Sequence, residues 1–264
     1  MPPQLKQASG TVQARSPAFT RSGFRVATEK DGDRLKAGLR TGDASAPRQR
    51  TAGHALPTSP ARPPECLVWV GLLVLCNLPF GGVSPVARWT FLPGYVLAGE
   101  WWRVITFPFV HVSGYHLLLD AGAFLGLYAM WEERSVWRRV VLVGASCAGS
   151  LVGAACVAEF ARLGLCGLSG AAHGLAALVA LESIRAERRG RLARLTGWAV
   201  LVAVVAKSVT EAVSGQVIFS GLHPGSVGVP NPVCHLGGVV GALLAWVLVA
   251  TRVPFVRQRA TRTA

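Results

Sequence analysis

From Cys66 onward the chain is a series of long uncharged apolar runs separated by short charged interruptions. A hydrocarbon core takes about 20 apolar residues to span, with a range of roughly 17–25. Six segments reach that length, some at the short end: 66–83, 114–130, 140–158, 168–184, 197–213 and 233–250. Backbone N–H and C=O groups cannot stay unpaired in lipid, so each segment is predicted to be a helix. Residues 1–62 show no such pattern. They are rich in Pro, Ser, Thr, Ala and Gly, carry eleven Lys/Arg, and contain no apolar stretch suited to a secretory signal. They read as a solvated, disordered basic arm. The absence of acidic residues before Glu29 is compatible with an organellar transit peptide, and equally with a start codon assigned too far upstream.

The positions of the charges test the spans independently. With the N-terminus inside, the inner segments are 1–65, 131–139, 185–196 and 251–264, and these hold 23 of the 27 Lys/Arg. The outer loops hold Arg88, Arg103 and Arg162, and Lys207 lies within a span. Basic residues favour the cytoplasmic side, so six helices with both ends inside are expected. Composition agrees. Of 264 residues 51% are hydrophobic and only 15% charged, against about 25% charged in soluble domains. That excludes an ordinary soluble fold and disorder over the full length. A net charge of +14 could have indicated nucleic acid, but its segregation makes it topological, and no nucleic-acid partner is implied.

The expected architecture is an all-α membrane protein: a basic arm over 1–62, a six-helix membrane domain over 63–252 and a basic tail over 253–264. The first outer loop, 84–110, is rich in aromatics (Trp89, Phe91, Trp101, Trp102, Phe107, Phe109) and is expected to lie at the outer interface.

Helices two, four and six run in the same direction, so their N-terminal ends share the outer side. There lie His116 and Asp120 on helix two, Ser169 on helix four and His235 on helix six. Ionisable groups inside spans are costly and mark a functional site by default. Gly170 and Gly174 on helix four, and Gly237 and Gly241 on helix six, form two GxxxG patterns that allow close helix approach. A serine hydroxyl becomes a nucleophile when a base lies within hydrogen-bond reach. His235 can serve Ser169 in this way. At the start of helix four, free N–H groups and the positive dipole end can stabilise an oxyanion, and Gly167 permits a sharp turn just before it. These features describe acyl transfer, most simply peptide hydrolysis, near the outer face of the membrane.

Residues 66–250 resemble the rhomboid family of intramembrane serine proteases. The resemblance rests on Gly167-Leu168-Ser169-Gly170, similar to its GxSG nucleophile motif, and on Cys234-His235-Leu236-Gly237-Gly238, similar to its catalytic-histidine segment. It also rests on Trp102-Arg103 in the first loop, and on His111 and His116 entering helix two. A narrower similarity, through Gly167–Gly174, is to rhombosortases, small bacterial rhomboids thought to process proteins with a C-terminal Gly-Gly sorting tail. The resemblance implies a six-helix bundle in a bacterial inner membrane. It further implies a Ser169–His235 dyad, a membrane-anchored protein substrate and no cofactor or metal. His173, one turn after Ser169, is either a ring stacked on His235 or the base itself, the first being favoured. Asp120 stands where many rhomboids carry Asn. It could be protonated and donate to an oxyanion, or ionised and accept from His116. The expected oxyanion hole is His116 with the Ser169 N–H, supported by Asp120. A catalytically inactive membrane chaperone or adaptor is the alternative. A proton-coupled transporter fits less well, because the polar residues concentrate at one end.

Other residues are weighed against simpler roles. Lys207 and Glu211 stand at i,i+4 and read as a structural pair. Glu182 is expected to meet the Arg185–Arg194 cluster, and Trp102 and Arg103 to shape the first loop. The six cysteines read as packing residues, with a Cys166–Cys234 disulfide conceivable. His223, Pro224 and Gly225 form either a gate or an ordinary turn.

Overall fold

The computed structural model describes residues 65–186, 190–218, 220–222 and 224–252. The arm at 1–62 and the tail at 253–264 lie outside the described residues, as do His223 and two basic residues counted above, Arg188 and Arg189. Among the described residues the chain is all-helical, without named strands. Its long helices are α1 (Glu65–Asn77), α2 (Gly114–Met130), α3 (Val136–Ala155), α4 (Ser169–Arg185), α5 (Arg191–Ser214) and α6 (Val233–Arg252). Three of them, α3, α5 and α6, are long and apolar enough to cross a membrane.

The helix bounds follow local chemistry. Helix α1 stops at Asn77, short of the expected residue 83, because Pro79, Gly81 and Gly82 follow and the Asn77 side chain turns back onto the backbone. Its amide donates to the Leu73 and Phe109 carbonyls at 2.7 Å each, and its Oδ1 accepts the His111 N–H at 2.9 Å. Ser113 and Ser135 cap α2 and α3 by accepting the N–H groups of His116 and Arg138. Helix α5 begins six residues earlier than the expected 197 and ends at a left-handed Gly215, whose N–H returns to the Glu211 carbonyl.

Helix α4 is the hub, packing against α2, α3, α5 and α6. Most of its buried residues are small: Gly170, Ala171, Ala172, Gly174, Ala177 and Ala180, beside Leu175 and Leu178. Small side chains let neighbouring backbones approach closely, which is where packing energy in lipid comes from. Helix α6 divides its glycines between two neighbours. Gly238 lies against α4, where an added Cβ would fall 3.1 Å from the Gly170 Cα. Gly237 and Gly241 lie against α3, with their Cβ positions 3.0 Å from the Gly153 and Gly149 Cα atoms respectively. The GxxxG of α6 therefore serves α3, and it is the adjacent Gly238 that meets α4. Consecutive helical residues point about 100° apart, so neighbouring glycines open two different faces.

The ends of the bundle are tied by polar contacts. Arg139 of α3 holds Glu65 of α1 at 2.5 Å, Glu182 of α4 accepts the Glu132 N–H at 2.9 Å, and the Arg185 guanidinium lies 4.1 Å from the Trp246 ring centre. At the other end the first loop folds into short helical turns (Pro85–Trp89, Pro93–Leu97, Arg103–Thr106, Phe107–Phe109). Arg103 is buried there, donating to Glu100 at 2.7 Å and to the Thr90 carbonyl at 2.8 Å, with Tyr95 stacked on its guanidinium. Phe91 and Phe107 are core residues, while Trp101 and Trp102 stay exposed. The expected aromatic belt is thus split between packing and surface.

Candidate active site

The segment that delivers Ser169 is clamped before the helix begins. Phe91 and Leu165 exchange N–H···O bonds of 3.0 Å in both directions, and the Gly167 N–H donates to the Phe107 carbonyl at 2.9 Å. Gly167 has φ +99°, a conformation that side-chain-bearing residues rarely adopt. A Cβ there would stand 2.8 Å from Asp120 Oδ2 and 3.0 Å from His116 Nε2. The next residue, Leu168, donates its N–H to Asp120 Oδ2 at 2.8 Å. Helix α4 has no side-chain cap of its own, and the carboxylate from α2 fills that place at the positive end of its dipole.

Around this carboxylate stand two imidazoles. His116 Nε2 lies 3.2 Å and His111 Nε2 3.4 Å from Asp120 Oδ2, and all three side chains are buried. Asp120 Oδ2 thus accepts from the Leu168 N–H while facing both imidazoles. The N–H groups of the first α4 turn, beginning with Ser169, have no carbonyl upstream within the helix to bond.

A second polar group forms on the other side of Ser169, between α4, α5 and α6. His173 Nδ1 is 2.7 Å from the Ser169 carbonyl. A carbonyl only accepts, so Nδ1 carries the proton and Nε2 is left as an acceptor. Lys207 Nζ of α5 donates to it at 2.9 Å. The His173 and His235 rings stack, with centres 4.1 Å apart and planes 12° from parallel. His235 Nδ1 meets Glu211 Oε2 at 2.7 Å. The other Glu211 oxygen accepts from Lys207 at 2.7 Å and from the Ile218 N–H at 2.9 Å.

The structure therefore gathers every candidate from the sequence (Ser169, His235, His116, Asp120, Gly167 and His173) around the first turn of α4. Among the described residues no hydrogen bond joins the Ser169 hydroxyl to His235; the hydroxyl lies beside the Cys234 thiol. Hydrogen bonds of this kind are often loose without substrate and tighten when it binds. Glu211 is the residue that sequence reasoning placed elsewhere. Its pairing with Lys207 was legible, its contact with His235 was not. An ionisable pair inside a predicted span was the available signal.

Donor atoms of His173, Glu211 and His235 lie within 4.8 Å of one another, a spacing open to a metal ion. Two features oppose that use. The Lys207 ammonium already bonds both His173 and Glu211, and two parallel stacked rings cannot aim in-plane lone pairs at one point. Cys166 and Cys234 are free thiols, and burial pushes the Cys166 thiol up to about 11. Near the last loop, the Ser113 hydroxyl donates to the Ser226 carbonyl and Gly225 packs against the Tyr115 ring, so the described part of the suggested gate is docked on α2.

Fold and site together define an integral membrane protein of helices with a serine and histidines gathered at its central helix. The Rhomboid domain family matches residues 98–251, more than half of the chain, and the chain belongs to that family. Rhomboids are generally serine intramembrane proteases acting on membrane proteins. No curated protein matches the chain.

Proposed function

We propose that this chain is an intramembrane serine endopeptidase of the rhombosortase type, cutting membrane-anchored proteins near the outer face of a bacterial inner membrane. In this reading all six long helices cross the bilayer with both ends inside, as the distribution of Lys and Arg indicates. Residues 63–252 are the working domain, and 1–62 and 253–264 are basic appendages. Ser169 attacks the scissile carbonyl, and its hydroxyl proton passes to His235 Nε2 as the Oγ–C bond forms. The carbonyl π pair moves onto oxygen, facing the Ser169 N–H and His116, with Asp120 holding the loop behind them. Collapse of the intermediate breaks the C–N bond, and His235 returns the proton to the leaving amine. Water then hydrolyses the acyl-enzyme by the same path, restoring Ser169.

The observation that carries the proposal is the linked set Ser169, His173 and His235: one hydrogen bond of 2.7 Å and one ring stack of 4.1 Å join the serine's own backbone to the second histidine. Both nitrogens of His173 are engaged, which supports His235 as the base. The test is co-expression with a membrane-anchored reporter bearing a C-terminal Gly-Gly tail. Wild type releases the processed product, and Ser169→Ala abolishes it. A reporter held by both proteins and cut by neither points to the adaptor reading instead.

A further inference from the structure

We infer that Glu211 is a positioning residue for the Ser169–His235 pair, so that the site works as a Ser-His-Glu triad whose carboxylate is held in place by Lys207. The inference rests on the protease reading above and adds a third member to it. Glu211 is fully buried and its carboxylate has its partners from three directions: Lys207 Nζ and the Ile218 N–H on Oε1, and His235 Nδ1 on Oε2. A carboxylate facing Nδ1 at 2.7 Å places the proton on that nitrogen. The Nε2 lone pair is then the one available to a serine proton. The same carboxylate stabilises the imidazolium formed once that proton has moved.

The competing account is that Glu211 exists only to neutralise Lys207. A charge within a span is unfavourable without a partner, and an i,i+4 pair supplies one to the half-buried Lys207. That account explains Oε1 and leaves Oε2 idle. Here Oε2 is spent on a residue from a different helix. Lys207 is itself shared: it also donates to His173 Nε2, which fixes the ring stacked on His235. The His235 ring is thereby held by its edge and by its face. Neither restraint touches the reacting atoms, and together they leave the imidazole one orientation.

The experiment uses the full-length protein in detergent micelles and a fluorescent fluorophosphonate probe. Labelling forms the Ser169 Oγ–P bond, breaks the P–F bond, releases fluoride, and moves the hydroxyl proton to His235. The maximal rate and the half-saturating probe concentration are measured separately, with thermal unfolding of each variant. Glu211→Gln is expected to lower the maximal rate about 10²–10³-fold with half-saturation unchanged, the scale of a mis-set general base. Glu211→Asp recovers part of that loss. Lys207→Met is expected to slow labelling about tenfold, since the Ile218 N–H still holds the carboxylate. The decisive variant is Glu211→Gln with Lys207→Met, which removes both charges and leaves no buried ion unpaired, so it stays informative if Glu211→Gln alone folds poorly. Labelling as slow as in Glu211→Gln supports the triad. A return to the wild-type rate overturns it and leaves Glu211 as a counter-ion. Failure of the protease reading looks different: Ser169→Ala would then label as wild type does.

Discussion

Between α4, α5 and α6, the polar side chains His173, Lys207, Glu211 and His235 form a closed set in which positive and negative charge balance and both Glu211 oxygens have partners. Between α2, the first loop and the start of α4, the set is open. Among the described residues Asp120 is the one carboxylate beside these two imidazoles, and both nitrogens of His111 and Nδ1 of His116 are buried without a hydrogen bond. Buried polar groups are ordinarily satisfied, and exceptions ask for a reason. A closed network suits a device that must hold one geometry. An open one leaves polar capacity unspent, and under the protease reading His116 is the member placed to meet an oxygen that arrives with substrate. The two sets flank one helix start, and under the protease reading their contrast separates holding the base from receiving the developing charge.

The largest effect expected on the open side is from Asp120→Ala. It strands the Leu168 N–H and removes the group facing His116, so activity should fall about 10²-fold, the usual scale for a damaged oxyanion site. Stability should drop by about 1–3 kcal/mol for the unpaired buried donor. Asp120→Asn keeps an acceptor for Leu168 and should restore the stability. Turnover and thermal unfolding read the two effects apart, and full activity in both variants would remove Asp120 from the site. Next comes Gly167→Ala, where a positive φ and a Cβ 2.8 Å from Asp120 Oδ2 coincide. Its expected cost is about 1–3 kcal/mol of stability, visible as a lower melting midpoint. The smallest effect is expected from His111→Phe. The Asp120 contacts with the Leu168 N–H and His116 stay in place, so the cleavage rate should change by less than about threefold. A loss as large as that of Asp120→Ala would show that His111 shares the work of His116.

Much of this was legible from residues alone. Uncharged runs imply helices because lipid offers the backbone no other partner, and the start of α2 at residue 114 and of α6 at 233 were read directly. Ser169, His173 and His235 were visible as motif residues, and Gly167 as a turn. Helix ends were less legible where tertiary contacts set them: Asn77 closes α1 by bonding Phe109, thirty-two residues away. The assignment of Gly237 to α3 and Gly238 to α4 was likewise hidden, since a glycine pattern states that a close approach exists and not with which helix.

What the amino-acid order determined, then, was everything carried by local chemistry: which stretches are helical, where charge is tolerated, and which residues are the candidates for nucleophile and base. Tertiary structure decided the pairings between helices. Lys207 and Glu211 are one turn apart on a single helix, so sequence reads them as partners of each other. Only the packing of α5 beside α6 brings Oε2 of Glu211 to His235, twenty-four residues on, because hydrogen bonds act over about 3 Å of space regardless of the length of chain between their ends.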